Sequence, residues 1–233
     1  MTERVLIGNR HGALTRWVFS AKIRLAKKLI GKKYKYLYLP KKSSKMNVLT
    51  ERNKNQKEKK MKDFLKLAKD RYSVRCFKDL PVEQEKIDQI IEAAKVAPTA
   101  CNNQPFKIWV AKSIDAKNKI NKANNFPFAQ QAPVLIVVGA NNNEGWVRGY
   151  DSKSFAEIDA AIAATHIMLA IHDMGLGTTW IGHFDEKILK QEFEDMKDYN
   201  LIAIFPVGYI ADKCEPARTH SVYKEKELIA KEM

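Results

Sequence analysis

Cysteine is scarce in this sequence: only Cys76, Cys101 and Cys214 occur among 233 residues. An odd, widely spaced set does not suggest a disulfide framework and favours a reducing, cytoplasmic compartment. None of the three belongs to a CxxC motif or has histidine at metal-ligand spacing, so no metal site is predicted. No apolar run reaches the ~18 residues that span a bilayer, and no charge-flanked apolar segment predicts a secretory signal.

Acidic residues are nearly missing from the first quarter of the chain. Residues 1–60 contain 18 lysines and arginines but only three acidic residues. The other 173 residues contain 23 lysines and arginines and 24 acidic residues. The net charge of +14 therefore belongs to the N-terminal segment, and the remainder has the composition of an ordinary globular domain. That remainder has no basic patch with interleaved aromatic residues, so no nucleic-acid partner is predicted for it.

The charge distribution predicts a basic arm over residues 1–60 and one domain over residues 61–233. Residues 13–30 combine a three-to-four-residue apolar period with lysines and arginines. This pattern is typical of an amphipathic helix that could lie on an anionic membrane, or of an organelle transit segment. Residues 41–60 lack periodicity and indicate a disordered linker. A competing hypothesis is that the natural protein starts at Met61 and that the arm is a mis-assigned extension.

Helical and strand patterns alternate after Met61. Apolar periodicity predicts helices over residues 62–70, 81–96, 113–123 and 155–173 and after Asp185, and strands over residues 106–111, 133–139, 178–181 and 201–207. This order predicts one α+β or α/β domain. The helix over 155–173 is apolar on nearly every side and is predicted to be fully buried, partly against a second subunit. Its acidic residues Glu157 and Asp159 are interpreted as helix-start charges on an exposed face.

Two arginines and a serine recur at every second position in Arg71, Ser73 and Arg75. In an extended segment, side chains two residues apart point the same way, so all three could converge on one anion. The planar guanidinium fork suits phosphate in particular. The segment is therefore a candidate phosphate site, and a solvated charged loop is the alternative.

A loop pinned by two prolines follows the second helix and carries Pro98, Thr99, Asn102 and Gln104. Amide side chains offer both a donor and an acceptor, which suits the edge of a flavin or nucleobase ring. The alternative is a helix-to-strand turn whose amides satisfy backbone groups. Cys101 in this loop is interpreted as a small packed thiol.

The segment from Gly175 to Gly182 resembles a dinucleotide-binding glycine motif only superficially. Its last glycine is missing, and it follows a helix where the motif should open one. Gly175 is better explained as a helix cap, whereas Gly182 at a strand end could let the backbone approach a planar ligand.

Five segments taken in order, RYSVRCF, APTACNNQP, APVLIVVGA, GLGTTWIGHFD and LIAIFPVGY, resemble the nitroreductase family of FMN-dependent reductases. The resemblance covers residues 61–233 and implies an α+β fold with a central, mainly antiparallel sheet flanked by helices. It also implies an intertwined homodimer with FMN at the subunit interface. Only Asn141–Ser154 separates the central strand from the long helix, as in a short member of the family with an open, permissive substrate cleft.

The resemblance also implies roles for individual residues. The cofactor phosphate and ribityl chain would be held by Arg71, Ser73 and Arg75. The ribityl chain and isoalloxazine ring would be lined by Pro98, Thr99, Asn102, Gln104, Thr179, Trp180, Ile181 and Gly182. A further basic residue near the C-terminus would contact the phosphate, and both Arg218 and Lys224 are candidates for it.

The implied activity is an NAD(P)H-dependent oxidoreductase. NADH or NADPH would pass a hydride to flavin N5, and a nitroaromatic, quinone or similar conjugated acceptor would then take the electrons in a ping-pong mechanism. The cofactor would carry the chemistry, so no catalytic side chain is expected. A flavin-dependent dehalogenase or ring oxidase on the same fold is one alternative. A basic-armed protein that binds nucleic acid or membrane is another, supported by the arm alone.

Overall fold

A computed structural model describes residues 63–233, so the predictions for the arm and for a start at Met61 lie outside the described residues. Residues 63–70 are helical (α1). The helices that follow are Gln84–Lys95 (α2), Ile114–Lys122 (α3), Pro127–Gln131 (α4), Ala156–Asp173 (α5), Glu186–Glu192 (α6) and Lys226–Ile229 (α7). Within this part of the chain, none is long and apolar enough to cross a membrane.

Four strands form an antiparallel sheet at the centre of the domain. In chain order they are Phe106–Ala111 (β1), Val134–Ala140 (β2), Leu176–Gly177 (β5) and Asn200–Tyr209 (β6), and their spatial order is β1-β2-β6-β5. A separate two-stranded ribbon pairs Val147–Arg148 (β3) with Lys153–Ser154 (β4). The predicted α+β fold with a mainly antiparallel sheet is therefore confirmed.

The sheet is covered on both faces, which explains why β2 is apolar at every position. On one face, Val134, Ile136 and Val138 pack with residues of α2 and α5. On the other face, Leu135 and Val137 pack with α3, α6 and the segment that contains the candidate phosphate site. Successive side chains of a strand point to opposite faces, so a strand between two layers must be apolar throughout.

Local capping signals set the starts of two helices. The Ser113 hydroxyl accepts a hydrogen bond from the backbone N–H of Ala116 at 3.2 Å, and the Asp185 carboxylate accepts one from that of Lys187 at 2.9 Å. Both interactions satisfy backbone donors that the first turn leaves free. The second predicted helix begins later than expected, because its N-cap is Glu83 and not the Leu80–Pro81 pair.

One structural prediction is wrong in part. Residues 178–181 do not form a continuous strand, since only Thr178 and Ile181 make isolated bridges, to Ser73 and Ile204. The predicted full burial of helix α5, partly against a second subunit, stays a prediction, because one chain covers only part of the helix. Its inner face is buried, but Ile162 and Met168 are only partly covered. A helix against one sheet covers one side of itself, and its remaining apolar side needs another partner.

The scarcity of cysteine favoured a reducing compartment over a disulfide framework, but the structure contains one disulfide. Cys76 and Cys214 form a disulfide with their Cα atoms 5.7 Å apart, and only Cys101 is free. The partners are 138 residues apart in sequence. They meet because the backbone around Cys76 pairs with the chain that leaves β6, where Ala211 N–H donates to Cys76 O at 3.2 Å. The positions of Cys76 and Cys214 in the sequence do not indicate that they are in contact.

Candidate functional site

The Arg71–Phe77 segment lies directly beside the chain that leaves β5. The backbone N–H of Val74 donates to Thr178 O at 2.9 Å, and Ser73 and Thr178 form a parallel bridge. Gly177 makes this approach possible, since a Cβ there would lie 2.7 Å from Val74 Cγ1. Two of the three segments predicted to carry the site are therefore neighbours in the fold.

Alternate residues of the Arg71–Phe77 segment face the protein. Tyr72 donates from its hydroxyl to Cys214 O at 3.2 Å, Val74 is buried, and Cys76 is in the disulfide. Burial raises the pKa of the Tyr72 hydroxyl. The intervening Arg75 is exposed. Between residues 63 and 233, no acidic side chain forms an ion pair with either Arg71 or Arg75.

A small cleft of about 140 Å³ contains the guanidinium-bearing Arg75 and the Thr179–His183 segment. Its other walls are Phe126 and Phe128, whose rings stack with centroids 5.1 Å apart. Trp180 is 36% exposed and meets Phe205 edge-on at 5.2 Å. The cleft thus combines a cation with flat apolar walls, which suits a planar ring that carries polar edges.

Gly182 lies in this cleft, and packing among residues 63–233 does not require its lack of a side chain. In the described part of the chain, the atom nearest to a Cβ at Gly182 would be Trp180 Nε1 at 3.7 Å. The two glycines therefore have different roles. A side chain at Gly177 would clash with Val74, whereas Gly182 leaves open space beside its backbone. That room is what close approach of a planar ligand to the main chain would need.

A larger cleft of about 810 Å³ lies next to the first and shares Phe126 and His183 with it as lining residues. Its walls come from Lys122–Phe126 and His183–Ile188. The aromatic residues Phe126, Phe128 and His183 were not singled out from the sequence. The available signal was the NFPF run before β2, in which Phe126 precedes α4 and Phe128 lies in its first turn.

The loop with Pro98, Thr99, Asn102 and Gln104 has a tightly determined shape. The Thr99 hydroxyl accepts from the backbone N–H of Gln104 at 3.0 Å, and Gln104 Nε2 donates to Asn102 Oδ1 at 3.1 Å. Three residues have positive φ: Cys101 at 53°, Asn102 at 57° and Gln104 at 51°. Asn102 and Gln104 are exposed, and so is Cys101, contrary to its interpretation as a packed thiol.

This loop and the Arg75 cleft are not brought together within one chain. The backbone N–H of Ala100 donates to Asp159 in the first turn of α5, whereas Thr179 follows the last turn of that helix. The 18 residues of α5 span about 27 Å. None of Pro98, Thr99, Asn102 and Gln104 lines the Arg75 cleft.

The two C-terminal candidates, Arg218 and Lys224, are exposed and do not line the Arg75 cleft. They belong to the segment that follows the disulfide. His220 in this segment meets Tyr72 edge-on, with ring centroids 6.1 Å apart. The C-terminal segment therefore lies beside the Arg71–Phe77 segment, but the contacts among the described residues do not distinguish Arg218 from Lys224.

The protein belongs to the α+β class, because an antiparallel sheet lies between layers of helices. A cleft with a cationic side chain and aromatic walls lies beside the short edge strand β5. The nitroreductase family model matches residues 68–125 and 119–209. A nitroreductase family protein from Clostridium difficile 630 is 32% identical, with a TM-score of 0.66 over 71% of this chain and 95% of its own. The chain therefore belongs to the nitroreductase family, whose members are oxidoreductases.

Two similar sequences have names that specify a reaction. A Methanothermobacter thermautotrophicus protein named as an NADH dehydrogenase/NAD(P)H nitroreductase is 29% identical over 68% of this chain and 86% of its own length. The FMN reductase [NAD(P)H] of Bacillus subtilis is 32% identical over 52% of this chain and 55% of its own length. The chain thus spans only about half the length of the second relative.

Proposed function

We propose that this protein is an FMN-dependent oxidoreductase that transfers electrons from NADH or NADPH to a small conjugated acceptor. The observation that carries this proposal is the meeting of Arg75 with Thr179–Gly182 in one cleft. The relative named FMN reductase [NAD(P)H] supports the same cofactor and donor. A bound FMN would supply two-electron chemistry between a nicotinamide and an acceptor such as a nitroaromatic or quinone.

The donor set fits FMN chemically. A phosphomonoester needs cationic and hydroxyl donors, and Arg71, Ser73 and Arg75 offer them without competing ion pairs in the described domain. A flavin ring needs flat contacts and amide partners along its polar edge. The flat contacts would come from the cleft wall, which consists of Thr179, Trp180, Ile181 and Gly182. The amide partners would be Asn102 and Gln104, with Pro98 and Thr99 beside them in the same loop.

We also propose that the functional unit is a homodimer in which each site uses both chains. The loop of Asn102 and Gln104 and the cleft of Arg75 are associated with opposite ends of α5, so one chain offers two half-sites. The partly covered Ile162 and Met168 on α5 leave an apolar side for a second copy. A twofold axis across this helix would bring the loop of one chain to the cleft of the other.

The purified full-length protein tests the proposed cofactor directly. We expect a yellow protein whose flavin absorbance bleaches under anaerobic conditions when NADH or NADPH is added. The acceptor is then identified by which of a nitroaromatic, a quinone and a flavin restores the absorbance fastest. A colourless protein that does not bind added FMN would overturn the proposal.

Substitution of Arg75 tests the assignment of the cleft. Arg75→Ala removes a hydrogen bond to a charged group worth about 1.5–3 kcal/mol, so the Kd for FMN should rise about 10- to 100-fold. Arg75→Lys should restore part of the affinity, since the charge remains and the fork is lost. Lys95→Ala is the matched control, because Lys95 pairs with Glu92 on the surface of α2. Equal FMN affinity in Arg75→Ala and wild type would contradict the assignment.

A further inference from the structure

Asp159 is a buried carboxylate that has no role in the proposed electron transfer. Its relative exposure is 2%, and its Oδ1 accepts the backbone N–H of Ala100 at 3.1 Å. Across residues 63–233, Oδ2 has no hydrogen-bond partner. Burial of a carboxylate with so few partners is unfavourable. The positive end of α5, whose first turn contains Asp159, offsets part of this cost but does not explain why an acid is there.

The group that Asp159 holds is the start of the candidate cofactor loop. Ala100 opens a single 3₁₀ turn, Ala100–Asn102, in which the backbone passes into the left-handed region. Cys101 and Gln104 also have positive φ, which is uncommon for residues other than glycine, asparagine and aspartate. Such backbone persists only where its surroundings hold it in place. Asp159 ties the beginning of the loop to α5, and Asn103 Nδ2 ties its middle to Glu144 O at 3.0 Å.

We propose that Asp159 is a positioning residue that holds the Thr99–Gln104 loop in its cofactor-binding shape through the hydrogen bond from Ala100. The inference rests on the proposed function, because the loop is assigned to FMN there. Asp159 itself would not contact the cofactor. It fixes the backbone from which Asn102 and Gln104 present their amides to the flavin ring.

The expected effect follows from the fraction of molecules whose loop is already in the bound shape. When that fraction falls tenfold, the apparent Kd for the ligand rises tenfold. Loss of one hydrogen bond to a charged acceptor shifts such an equilibrium by about 10- to 100-fold. Asp159→Ala should therefore weaken FMN binding, by up to about 10- to 100-fold, with the domain still folded.

Two variants on the same helix separate positioning from other effects. Asp159→Asn keeps an oxygen at Oδ1 and should bind FMN within about threefold of wild type. Glu157→Gln is the matched control, since Glu157 lies in the same first turn of α5, is exposed, and accepts from Asn200 Nδ2 at 2.8 Å. FMN titration of the flavin-free full chain, followed by quenching of flavin fluorescence, gives each Kd. Circular dichroism establishes that every variant is folded.

Removal of the donor tests the same bond from the loop side. Ala100→Pro deletes the N–H, and proline is tolerated at the first position of a helical turn. The preceding Thr99 has φ −133° and ψ 157°, the extended conformation that proline requires before it. This variant leaves Asp159 in place, so it remains informative if Asp159→Ala fails to fold. The double variant Asp159→Ala/Ala100→Pro should bind FMN no more weakly than the weaker single variant.

The outcomes are distinct. Weak FMN binding by Asp159→Ala and Ala100→Pro, together with near-normal binding by Asp159→Asn and Glu157→Gln, would support the inference. Wild-type affinity in a folded Asp159→Ala or Ala100→Pro variant would overturn it. An equal loss in Asp159→Ala and Asp159→Asn would also overturn it, because the acceptor is kept in the second. Absence of FMN binding by the wild type would instead remove the proposed function itself.

Discussion

Replacement of both Cys76 and Cys214 by serine removes a cross-link between the Arg71–Phe77 segment and the chain that follows β6. The native contacts around the bond should survive this change. Lys78 N–H donates to Tyr209 O at 2.8 Å, Ala211 N–H donates to Cys76 O, and Phe77 bridges Ile210. The folded structure is thus held at this point without the sulfur atoms. The effect of the substitution should arise chiefly from the unfolded chain, which regains the freedom of a long loop.

The sequence separation sets the magnitude. A closed loop of 138 residues corresponds to about 5 kcal/mol in the chain-entropy treatment. Residual structure in the unfolded state reduces such values, and removal of a native disulfide typically costs about 2–5 kcal/mol. We expect a loss of about 3 kcal/mol in the free energy of unfolding. For a chain of this size, that corresponds to a decrease in Tm of about 10 °C.

Urea unfolding under oxidising conditions, followed by tryptophan fluorescence, measures this loss. Wild type treated with dithiothreitol should match the Cys76→Ser/Cys214→Ser variant. The variant should also show a larger m-value, because its unfolded chain is more expanded. Cys101→Ser is the matched control, since Cys101 is the free cysteine and should not alter the curve. Coincident curves for oxidised wild type and the double variant, or three reactive thiols in the native protein, would refute the reasoning.

Two further predictions concern single side chains. Burial lowers the pKa of His172, so the unfolded chain binds this proton first as the pH falls. The stability of the wild type should therefore decrease below pH ~6.5, and that of His172→Gln should decrease less. Thermal melts between pH ~5 and ~8 would measure both decreases. An equal dependence of Tm on pH in the two proteins would contradict the prediction. Ser113→Ala should lose about 1 kcal/mol of unfolding free energy in urea, because Ala116 N–H loses its cap, whereas Ser113→Asp should not.

The parts of the fold that were predictable are those with local causes. Continuous apolarity identified β2 as a central strand, and its seven residues are all buried. Ser113 and Asp185 identified helix starts, and Gly175, with φ +73°, ends α5 as expected. In each case, one residue or one short pattern determines the structure through hydrogen bonds or steric limits within a few positions.

The parts that were missed depend on partners far along the chain. The disulfide arises because the Cys76 backbone pairs beyond the end of β6, and Phe126 reaches the Arg75 cleft only through the packing of α3 and α4. The Thr178–Ile181 segment has strand-like composition, yet Ser73 and Ile204 pair with it only at single positions. Composition indicates that a segment suits a pleated surface, but not whether a continuous neighbour is available.

The burial of Asp159, unlike the disulfide and the position of Phe126, could have been predicted from the sequence. Glu157 and Asp159 are two residues apart on a helix, so their side chains point about 200° from one another. They cannot share one exposed face, although that was the interpretation of the pair. On a helix that is apolar on nearly every side, one of the two must point inward, and a carboxylate that points inward requires a donor from outside the helix. The loop with the unusual amides is the segment whose backbone supplies it, through Ala100. A pair of acids at this spacing on an apolar helix therefore predicts that a neighbouring loop is anchored to the helix.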